Sequence, residues 1–465
     1  MSSAKYDFGL VGLGVMGRNF ILNVAENGFG AIGLDLNQEK VDSLKSEAGI
    51  MKVSATKSKI EFVEALLIPR KIMLLVPAGE PVDAVINDLK PLLSEGDIII
   101  DGGNSFFTDT DRRFESLRTE GIHFFGSGVS GGAKGARRGP SIMPGGDKTA
   151  YEYIKPIFEA ASAKVNGEPC VAHLGKGSAG NYVKMVHNGI EYAMMQMISE
   201  AYFVMKKGMG YTNEQFHQVF TRWNNSELAS FLIEITAEIF AQKDDLTEGD
   251  LVDQILDKAK QKGTGKWTSQ NAMDLGIPIP AVDVSVSMRQ ISAFKEQRVK
   301  AEEIYHSDCL GLDLKESDIK DALYLAFIIS YAQGFVQLRQ ASHEYGYDLD
   351  LEVISKIWRG GCIIRSSLLE DFRKAFDTDS NIENILLSHS ISELVKPIIK
   401  SLQKLVSLSL EAGIPVPALS ASLNYLLSYT TARLPLNLIQ AQRDHFGSHT
   451  YERTDRPGIF HTEWE

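Results

Sequence analysis

The segment Gly12-Leu13-Gly14-Val15-Met16-Gly17 restricts the fold of this chain more than any other part of the sequence. It follows the apolar run DFGLVG (residues 7–12), which has the composition of a buried strand, and leads into MGRNFILNVAEN (residues 16–27), which has helical spacing. Glycines in such a turn let a phosphate group approach the main-chain N–H groups at the start of the helix. The pattern predicts a strand–turn–helix unit that binds a dinucleotide; the alternative is a glycine-rich turn that binds nothing.

The same alternation of short apolar runs and helical stretches continues to about residue 175. The predicted strands are AIGLDL (31–36), KIMLLVP (71–77), DIIID (97–101), IHFFGSG (122–128) and CVAHLG (170–175). Helical stretches such as PVDAVINDLKPLL (81–93) separate them. This pattern is typical of a parallel, doubly wound sheet, so we predict an α/β domain of the Rossmann type over residues 1–177.

From residue 178 the spacing becomes helical and the β-branched alternation ends. We predict a large all-α domain over residues 178–434. Two of its segments, GYTNEQFHQVFTRWNNSELASFLIE and GYDLDLEVISKIWRGGCIIRSSLLE, share a Gly-Tyr start and a central tryptophan (Trp223 and Trp358), which indicates a duplicated helical unit. Residues 435–465 are rich in Gly, Pro and aromatic residues, and we expect this tail to be docked on another surface.

Composition excludes several classes of function. The net charge of −12 argues against a nucleic-acid partner, and the absence of a run of 18 apolar residues argues against a membrane span. Cys170, Cys309 and Cys362 are scattered without a CxxC pair, so neither a disulfide framework nor a cysteine zinc site is expected. The N-terminus lacks the apolar segment of a signal peptide, and a cytoplasmic location is expected.

Asp35 lies at the end of the second predicted strand, about 20 residues after the glycine turn. A carboxylate at this point can accept hydrogen bonds from the ribose hydroxyls of an adenosine, and it would repel a 2′-phosphate. The following residues are Leu36 and Asn37, and the next cation in the sequence is Lys40. Asp35 therefore favours NAD over NADP; a solvated acid at a strand end is the alternative.

Two glycine-containing segments follow predicted strands. In IIIDGGNSFF, Asn104 and Ser105 come directly after a buried strand, at the sheet edge where such folds bind ligands, although a simple turn would suit the same residues. Residues 126–146 contain eight glycines in 21 positions. Such a segment exposes many main-chain N–H groups and predicts an anion-binding nest, with a flexible loop as the alternative.

The segment NYVKMVHNGIEYAMM places five different polar residues on one face of an otherwise apolar helix. They are Lys184, His187, Asn188, Glu191 and Tyr192. The stripe suits the lining of a cleft better than a surface or a core. In a cleft Lys184 could serve as a base and Glu191 as an acid, whereas the alternative is a solvated stripe. Lys266, Arg289, Arg443 and His449 are further cations, and their spacing in the sequence does not connect them.

Together these motifs resemble the decarboxylating 6-phosphogluconate dehydrogenases. The resemblance runs from residue 6 to 464 and rests on GLGVMGRN, DGGNS, GSGVSGGAKGARRGPSIMPGG, KMVHNGIEY, GTGKWT and FGSHTYERTDRPGIFHTEW. It implies oxidation and decarboxylation of 6-phospho-D-gluconate to D-ribulose 5-phosphate and CO2, a step of the pentose phosphate pathway, without a metal. It also implies a homodimer in which the tail of each subunit reaches into the other.

The resemblance assigns roles to individual residues. Lys184 would be the general base and Glu191 the acid that protonates the product. Asn104, Ser130, Gly131, Gly132, His187 and Asn188 would hold the sugar acid. Tyr192, Lys266 and Arg289 would bind its phosphate, together with Arg443 and His449 of the neighbouring subunit. The dinucleotide would contact Gly12, Leu13, Gly14, Val15, Met16, Gly17, Asp35, Leu36, Asn37, Val76, Pro77, Ala78 and Asn104.

The sequence departs from this family at the cofactor site. NADP-using members typically have Asn-Arg-Thr where this chain has Asp35, Leu36 and Asn37, and many have Lys in place of Pro77. We therefore predict NAD as the preferred cofactor, with NADP preference or dual use as the alternative. Two other readings are a related β-hydroxyacid dehydrogenase, a class with commonly much shorter chains, and a non-catalytic dinucleotide sensor, which would not need Lys184 and Glu191.

Overall fold

A seven-stranded sheet forms the N-terminal part of the computed structural model, which describes residues 5–305 and 311–464. Its strands are β1 (Phe8–Val11), β2 (Ala31–Leu34), β3 (Val53–Thr56), β4 (Lys71–Leu74), β5 (Ile98–Asp101), β6 (His123–Ser130) and β7 (Ser141–Gly145). Their order is β3-β2-β1-β4-β5-β6-β7, and β7 is antiparallel to β6 while the other pairs are parallel. Because the strand order reverses direction beside β1, a ligand crevice is expected at its carboxyl end.

Helices cover both faces of this sheet. They are α1 (Val15–Glu26), α2 (Gln38–Ala48), α3 (Lys59–Glu64), α4 (Glu80–Leu89), α5 (Phe107–Arg118), α6 (Gly132–Arg138) and α7 (Lys148–Ala161), and a short hairpin of β8 (Lys164–Val165) and β9 (Glu168–Pro169) follows. Alternate residues of β1 belong to two separate cores. Phe8 and Leu10 are in one core and Val11 is in the other, as the two-residue period of a strand requires.

The helical part begins with α8, and its helices up to α20, except α14, contribute to one large apolar core. They are α8 (Ala179–Met209), α9 (Asn213–Asn224), α10 (Phe231–Ala241), α11 (Leu251–Gln254), α12 (Thr264–Asp274), α13 (Pro280–Ala293), α14 (Lys295–Tyr305), α15 (Glu316–Tyr345), α16 (Leu351–Trp358), α17 (Leu368–Thr378), α18 (His389–Val395), α19 (Ile399–Glu411) and α20 (Pro417–Tyr429). A Cβ on Gly334 of α15 would lie 2.5 Å from Cδ1 of Ile190 on α8, so these two long helices approach each other closely.

Two successive groups of helices repeat the same order. In each, a helix of about 30 residues is followed by two shorter ones: α8, α9 and α10, then α15, α16 and α17. Trp223 and Trp358 are buried at the ends of the equivalent helices α9 and α16. An antiparallel bridge joins Ser230 to Ser366, which precede α10 and α17. This arrangement is the one that the predicted duplication requires.

By length and composition, α15 is the one helix in the described ranges that could cross a membrane. Of its most apolar 18-residue window, 83% is buried inside the protein. The core helix of a globular protein meets the same criteria, so the feature is weak evidence for a membrane span.

The tail contains more regular structure than its composition predicts. Residues 436–447 form α21 (Leu436–Gly447), and β10 (Tyr451–Glu452) pairs with β11 (Ile459–Phe460). The helix lies beyond residue 434, where the sequence predicted that helices end. Its apolar positions are exposed, including Leu438 and Ile439, so no buried stripe marked it in the sequence.

The Rossmann-type sheet and the large helical domain that follows it are confirmed, whereas the strand predicted at CVAHLG is wrong. That segment makes a single bridge, from Val171 to Ile142. The strand β3 was not predicted, because VSAT carries little apolar surface. Residues 126–146 are not the flexible loop given as the alternative, because β6, α6 and β7 occupy most of them, and anion binding by their main-chain N–H groups stays a prediction. Cys170 and Cys362 are buried and free, and Cys309 lies outside the described residues.

Candidate active site

Glycine is required for different reasons at the three glycine positions of the turn after β1. Gly12 has φ +98°, and a Cβ there would lie 2.5 Å from the carbonyl oxygen of Leu75. A Cβ on Gly17 would collide with the carbonyl oxygen of Gly12, so the fold itself requires both residues. Gly14 has open space around it, and no side chain caps the helix α1 that starts after it. The open space and the free N–H groups suit the close approach of a pyrophosphate.

Asp35 is held against this turn. Its Oδ2 accepts a hydrogen bond of 2.7 Å from the N–H of Leu13, and its Oδ1 accepts one of 2.9 Å from the N–H of Asn37. Lys40, the next cation along the chain, forms an ion pair of 3.3 Å with the same carboxylate. The Asn37 side chain caps α2. The carboxylate therefore has a defined orientation beside the turn.

A cavity of about 180 Å³ opens next to Asp35. Its lining is mostly apolar: Val11, Leu34, Leu36, Val76, Val85 and Leu89. Lys59 and Asp88 also line it and pair with each other at 2.5 Å. The shape and apolar lining suit an adenine ring. Lys59 was not identified from the sequence, since it lies 24 residues after Asp35 and only the fold brings it to the cavity. Pro77 and Ala78 follow Val76 as exposed residues.

The segment DGGNS is fixed by a buried ionic network. Asp101 at the end of β5 accepts hydrogen bonds from the N–H of Gly103 at 3.0 Å and from Ser105 Oγ at 2.6 Å. Arg113 approaches the same carboxylate at 3.5 Å, and its guanidinium also binds Asp83 of α4. These contacts hold the turn rigidly, and Asn104 stands exposed within it.

Lys184, His187 and Asn188 lie together on α8, buried against the sheet. The Nζ of Lys184 is 3.2 Å from His187 Nδ1 and donates a hydrogen bond to Asn188 Oδ1. Glu191 is one turn further on, with Oε2 at 3.9 Å from His187 Nδ1 and 22% of its side chain exposed. The polar stripe predicted from helical spacing is thus a connected cluster at the junction of the two parts of the chain.

Glycines let the sheet approach this helix. A Cβ on Gly128 of β6 would lie 2.3 Å from Cβ of Lys184, and one on Gly180 would lie 2.0 Å from the carbonyl oxygen of Met143 in β7. Several glycines of residues 126–146 therefore serve close packing between the sheet and α8. The turn at Gly131 and Gly132, where α6 begins, remains open to a ligand at Gly132.

Ser130, at the end of β6, connects the cluster to the second helical repeat. Its Oγ is 3.1 Å from His187 Nε2 and accepts a hydrogen bond of 3.2 Å from the N–H of Ile363. The Trp358 ring packs edge-on against His187, and the carbonyl oxygen of Gly361 lies where a Cβ on Gly131 would be. Sequence reasoning missed this 358–363 segment. The one available signal was the pair Gly360-Gly361, which follows the repeated tryptophan after one arginine.

Burial shifts the pKa values of the ionisable groups of this cluster. It lowers the pKa of Lys184 below 10.5, although Glu191 opposes the shift. It raises the pKa of Glu191 above 4.5, against the influence of Lys184 and Arg289. The pKa of His187 falls well below 6.5, through burial and then the nearby Lys184. A lysine shifted towards neutrality, a glutamate shifted towards protonation and a neutral histidine form a plausible acid–base set.

A second cationic point lies beyond Glu191. The guanidinium of Arg289 stacks on the Tyr192 ring at 3.5 Å from its centroid. A Cβ on Gly265 would lie 2.6 Å from the same ring, so the start of α12, which no side chain caps, adjoins this pair. Lys266 is exposed, and among residues 5–305 and 311–464 it has no hydrogen-bond or ion-pair partner.

Arg443 and His449 lie apart from the cluster, on the exposed surface of the tail. Arg443 binds Gln440 at 3.1 Å, and His449 packs against Phe446. Within the described part of the chain, the side-chain hydrogen bonds and ion pairs of residues 435–464 all stay inside that segment. The chain on its own does not bring these two residues to Lys184.

Comparison with known proteins gives consistent matches over the whole chain. Residues 7–175 match the NAD binding domain of 6-phosphogluconate dehydrogenase, and residues 180–464 match the C-terminal domain of 6-phosphogluconate dehydrogenase. The NADP(+)-dependent, decarboxylating 6-phosphogluconate dehydrogenase of Bacillus subtilis is 50% identical, and the decarboxylating enzyme of Escherichia coli is 49% identical, each over 99% of both chains. A solved structure of the Plasmodium falciparum enzyme, studied alone, with NADP+ and with 6-phosphogluconate, superposes with a TM-score of 0.95 at 45% identity, covering 98% of this chain and 100% of that one.

Proposed function

The chain belongs to the 6-phosphogluconate dehydrogenase family, and from this premise we propose that it converts 6-phospho-D-gluconate to D-ribulose 5-phosphate and CO2 while reducing a nicotinamide dinucleotide. The observation that carries the proposal is the buried cluster of Lys184, His187 and Asn188, with Glu191 one turn away. A non-catalytic dinucleotide sensor would not need a buried lysine near a partly buried glutamate, because burying these groups costs free energy unless they are used or paired.

Lys184 would start the reaction as the general base. Its lowered pKa lets the neutral amine take the proton of the substrate 3-hydroxyl. The nicotinamide, when bound, accepts the hydride from C3. The protonated Lys184 would then donate a hydrogen bond to the new C3 carbonyl oxygen. As CO2 leaves, the electron pair of the C1–C2 bond forms a C2–C3 double bond, and the π pair of the carbonyl moves to that oxygen. Glu191, kept protonated by its raised pKa, delivers a proton to the carbon that lost CO2.

Ser130 and His187 would orient Lys184 and the sugar acid. His187 contacts three partners: its Nε2 lies 3.1 Å from Ser130 Oγ, and its Nδ1 lies 3.2 Å from Lys184 Nζ and 3.0 Å from Asn188 Oδ1. In the tautomer with the proton on Nε2, His187 would donate to Ser130 Oγ, which also accepts from the N–H of Ile363, and the hydrogen of Ser130 would be free to bind the substrate. Asn104, Gly131, Gly132 and Asn188 would complete the binding of the sugar acid. This arrangement keeps Lys184 ready to exchange its proton.

The phosphate of the substrate would bind at the pair of Tyr192 and Arg289. The uncapped start of α12 adds main-chain N–H groups there, and Lys266 on the same helix adds charge. We place Arg443 and His449 of a second copy at the same phosphate, in a homodimer with exchanged tails. The exposed apolar residues of the tail, such as Leu438, Ile439 and Phe446, support a second surface that covers them.

NAD is the proposed preferred cofactor. Asp35 holds its carboxylate where the adenosine ribose would lie, and a 2′-phosphate beside it would be repelled. Lys59, which lines the cavity, is paired with Asp88, and Lys40, which follows Asp35 along the chain, is paired with Asp35. Neither lysine can bind a phosphate without losing an ion pair. NADP preference is the second candidate, because the Bacillus subtilis relative is NADP(+)-dependent and the Plasmodium falciparum enzyme was studied with NADP+.

The test measures CO2 release and kcat/KM for 6-phosphogluconate with NAD and with NADP. We expect CO2 with either cofactor and a higher kcat/KM for NAD. A tenfold or greater preference for NADP would overturn the cofactor proposal, and the absence of CO2 with both would overturn the reaction. The pair Asp35→Asn with Leu36→Arg should shift preference towards NADP. Asp42→Asn, on the exposed face of α2, is the matched control and should leave the preference unchanged.

A further inference from the structure

The tail helix α21 has one buried residue, and that residue is an acid. Asp444 is 0% exposed, whereas apolar neighbours on the same helix such as Leu438 and Phe446 are 62% and 73% exposed. This inverts the usual distribution, in which apolar side chains are buried and carboxylates face water. A buried carboxylate in a thin segment without an apolar core must be compensated by hydrogen bonds.

The Asp444 side chain accepts four hydrogen bonds from residues that follow it. Its Oδ1 accepts from the N–H of Thr450 and from His461 Nδ1, both at 2.9 Å. Its Oδ2 accepts from the N–H of Thr462 at 3.1 Å and from Trp464 Nε1 at 2.9 Å. Four donors use the full accepting capacity of a carboxylate. Asp444 therefore connects α21, the following turn and the last described residues of the chain.

The turn that it fixes contains His449. Ser448 and Thr450, on either side, have positive φ values of 48° and 61°, which are strained for residues with side chains. The N–H of Ser448 binds the Asp444 carbonyl oxygen at 2.8 Å, and the N–H of Thr450 binds its carboxylate. Arg443 precedes Asp444 directly on the helix. One buried residue thus sets the relative positions of Arg443 and His449.

An ordinary helix C-cap does not account for this arrangement. A cap needs contacts only with the residues just beyond the helix end, such as Ser448 and Thr450. The donors at His461, Thr462 and Trp464 lie 17 to 20 residues further along the chain. They bring the end of the tail back against the turn. The bonds therefore stabilise the shape of the whole segment.

We propose that Asp444 is a positioning residue that presents Arg443 and His449 as one rigid pair to the substrate phosphate. The proposal rests on the proposed function, in which these two residues act in the site of a second copy. Asp444 itself touches neither the substrate nor the cofactor. Asp444 fixes in advance the segment that carries these two exposed side chains. Less conformational entropy is then lost when they bind the phosphate.

The first experiment compares Asp444→Asn with the unmodified enzyme. An amide has one accepting oxygen and turns its NH2 group against two of the four donors. Arg443 and His449 should therefore lose their fixed relative positions. We expect KM for 6-phosphogluconate to rise about 10- to 100-fold while kcat changes less than about threefold and KM for the dinucleotide is unchanged. Asp455→Asn is the matched control, since Asp455 is an exposed acid of the same tail that pairs with Arg453 and Arg456.

A second readout isolates the phosphate. The ratio of kcat/KM for 6-phosphogluconate to that for D-gluconate, which lacks the phosphate, should fall by the same factor in Asp444→Asn, and inhibition by inorganic phosphate should weaken. Trp464→Phe removes one donor without changing charge and should produce a smaller change in the same direction. This second variant tests the idea even where Asp444→Asn fails to fold. An equal loss with both substrates, or an unchanged KM in both variants, would overturn the proposal.

Co-expression of differently tagged chains separates this proposal from the one on which it rests. In a hybrid dimer, one subunit carries Lys184→Ala and the other carries Arg443→Ala. If tails are exchanged, the site that keeps Lys184 receives the intact tail of the other subunit, so the hybrid should recover the normal KM for 6-phosphogluconate. Recovery there, together with an unchanged KM in Asp444→Asn, would reject the positioning role and keep the exchanged tail. An unchanged KM in Arg443→Ala itself would reject the exchanged tail, and the role of Asp444 with it.

Discussion

Two regions of this chain carry the cations that the proposed reaction needs, and they are built in opposite ways. On α8, Lys184 is 6% exposed and makes its contacts with neighbours of the same helix and of the sheet. On the tail, Arg443 and His449 are exposed, and the bonds of their segment stay within it. The Lys184 cluster on α8 therefore has its contacts within one chain. The tail is also folded, but within the described part of the chain its side chains make no hydrogen bond or ion pair with the rest of the protein.

This difference has a physical origin. A buried lysine and glutamate acquire shifted pKa values only where the surrounding fold excludes water, so the acid–base groups must belong to a well-packed core. Phosphate binding instead needs charge that converges from several directions, and a mobile or exchanged segment can supply it. Substitutions in the two regions should therefore change different kinetic constants.

The largest effect is expected at Lys184. Lys184→Ala removes the group that accepts and returns the proton, so kcat should fall about 10³- to 10⁴-fold while the dinucleotide still binds. Lys207→Ala, on the exposed last turn of α8, is the control and should change kcat little. Stopped-flow measurement of reduced cofactor formation checks the prediction. A loss confined to KM would place Lys184 with the phosphate-binding group and break the comparison.

Glu191 should give the next largest effect and a diagnostic pH profile. Glu191→Gln removes the proposed proton donor, and kcat should fall about 10²- to 10³-fold. In the unmodified enzyme, activity should fall on the acid side as Lys184 becomes protonated and on the alkaline side as Glu191 loses its proton. Because burial lowers the pKa of Lys184 and raises that of Glu191, protonation of Lys184 should set in below pH 10.5 and loss of the Glu191 proton above pH 4.5. Rates across pH in both proteins would test this, and an alkaline limb that persists in Glu191→Gln would contradict it.

Arg443 should affect substrate binding more than chemistry. Arg443→Ala deletes one charged contact with the phosphate, and KM for 6-phosphogluconate should rise about 10- to 100-fold with a smaller change in kcat. Arg453→Ala, an exposed arginine of the same tail paired with Asp455, should leave KM unchanged. A fall in kcat equal to that of Lys184→Ala would remove the distinction between the two regions.

The smallest effect is expected in the glycine turn after β1, where Gly14 and Gly17 can be compared. A methyl group at Gly14 meets open space, so Gly14→Ala should keep the thermal midpoint and weaken dinucleotide binding about tenfold by blocking the approach of the pyrophosphate. At Gly17 the same change collides with the Gly12 carbonyl oxygen, and Gly17→Ala should lower the thermal midpoint. Calorimetry and dinucleotide titration of both variants check the pair. If both variants lost the same dinucleotide affinity and kept the same thermal midpoint, the distinction between Gly14 and Gly17 would be wrong.

Much of the site could be predicted because its determinants are local. The turn from Gly12 to Gly17 and the stripe from Lys184 to Tyr192 each lie within one strand–helix junction or one helix face, where chain periodicity sets the neighbours. Asp35 was also predictable, since strand β2 carries it to the same edge as the turn. The roles of Tyr192 and Arg289 needed the resemblance to a family, although the structure does stack these two side chains.

Other parts could not be predicted because their determinants are distant in sequence. Ile363 reaches Ser130 across 233 residues, and Lys59 reaches the cavity beside Asp35 through the pairing of β2 with β3. The sequence did not reveal that Gly128 and Gly145 of residues 126–146 pack against α8. The tail helix was missed because its apolar residues face outwards.

The sequence by itself determined the order of the two parts, the glycine turn after β1, the acid at the end of β2 on which the proposed cofactor choice rests, and the helix face that carries the proposed acid–base pair. These features depend on the hydrophobic periodicity and the glycine positions of short segments, which can be read directly from the sequence. Only the tertiary structure decided that Ser130 links His187 to the second repeat, that Lys59 reaches the cavity beside Asp35 and pairs there with Asp88, and that Asp444 holds the tail in one shape. Each of these depends on atoms from distant segments meeting within hydrogen-bond distance, and such a meeting follows from packing rather than from any local pattern.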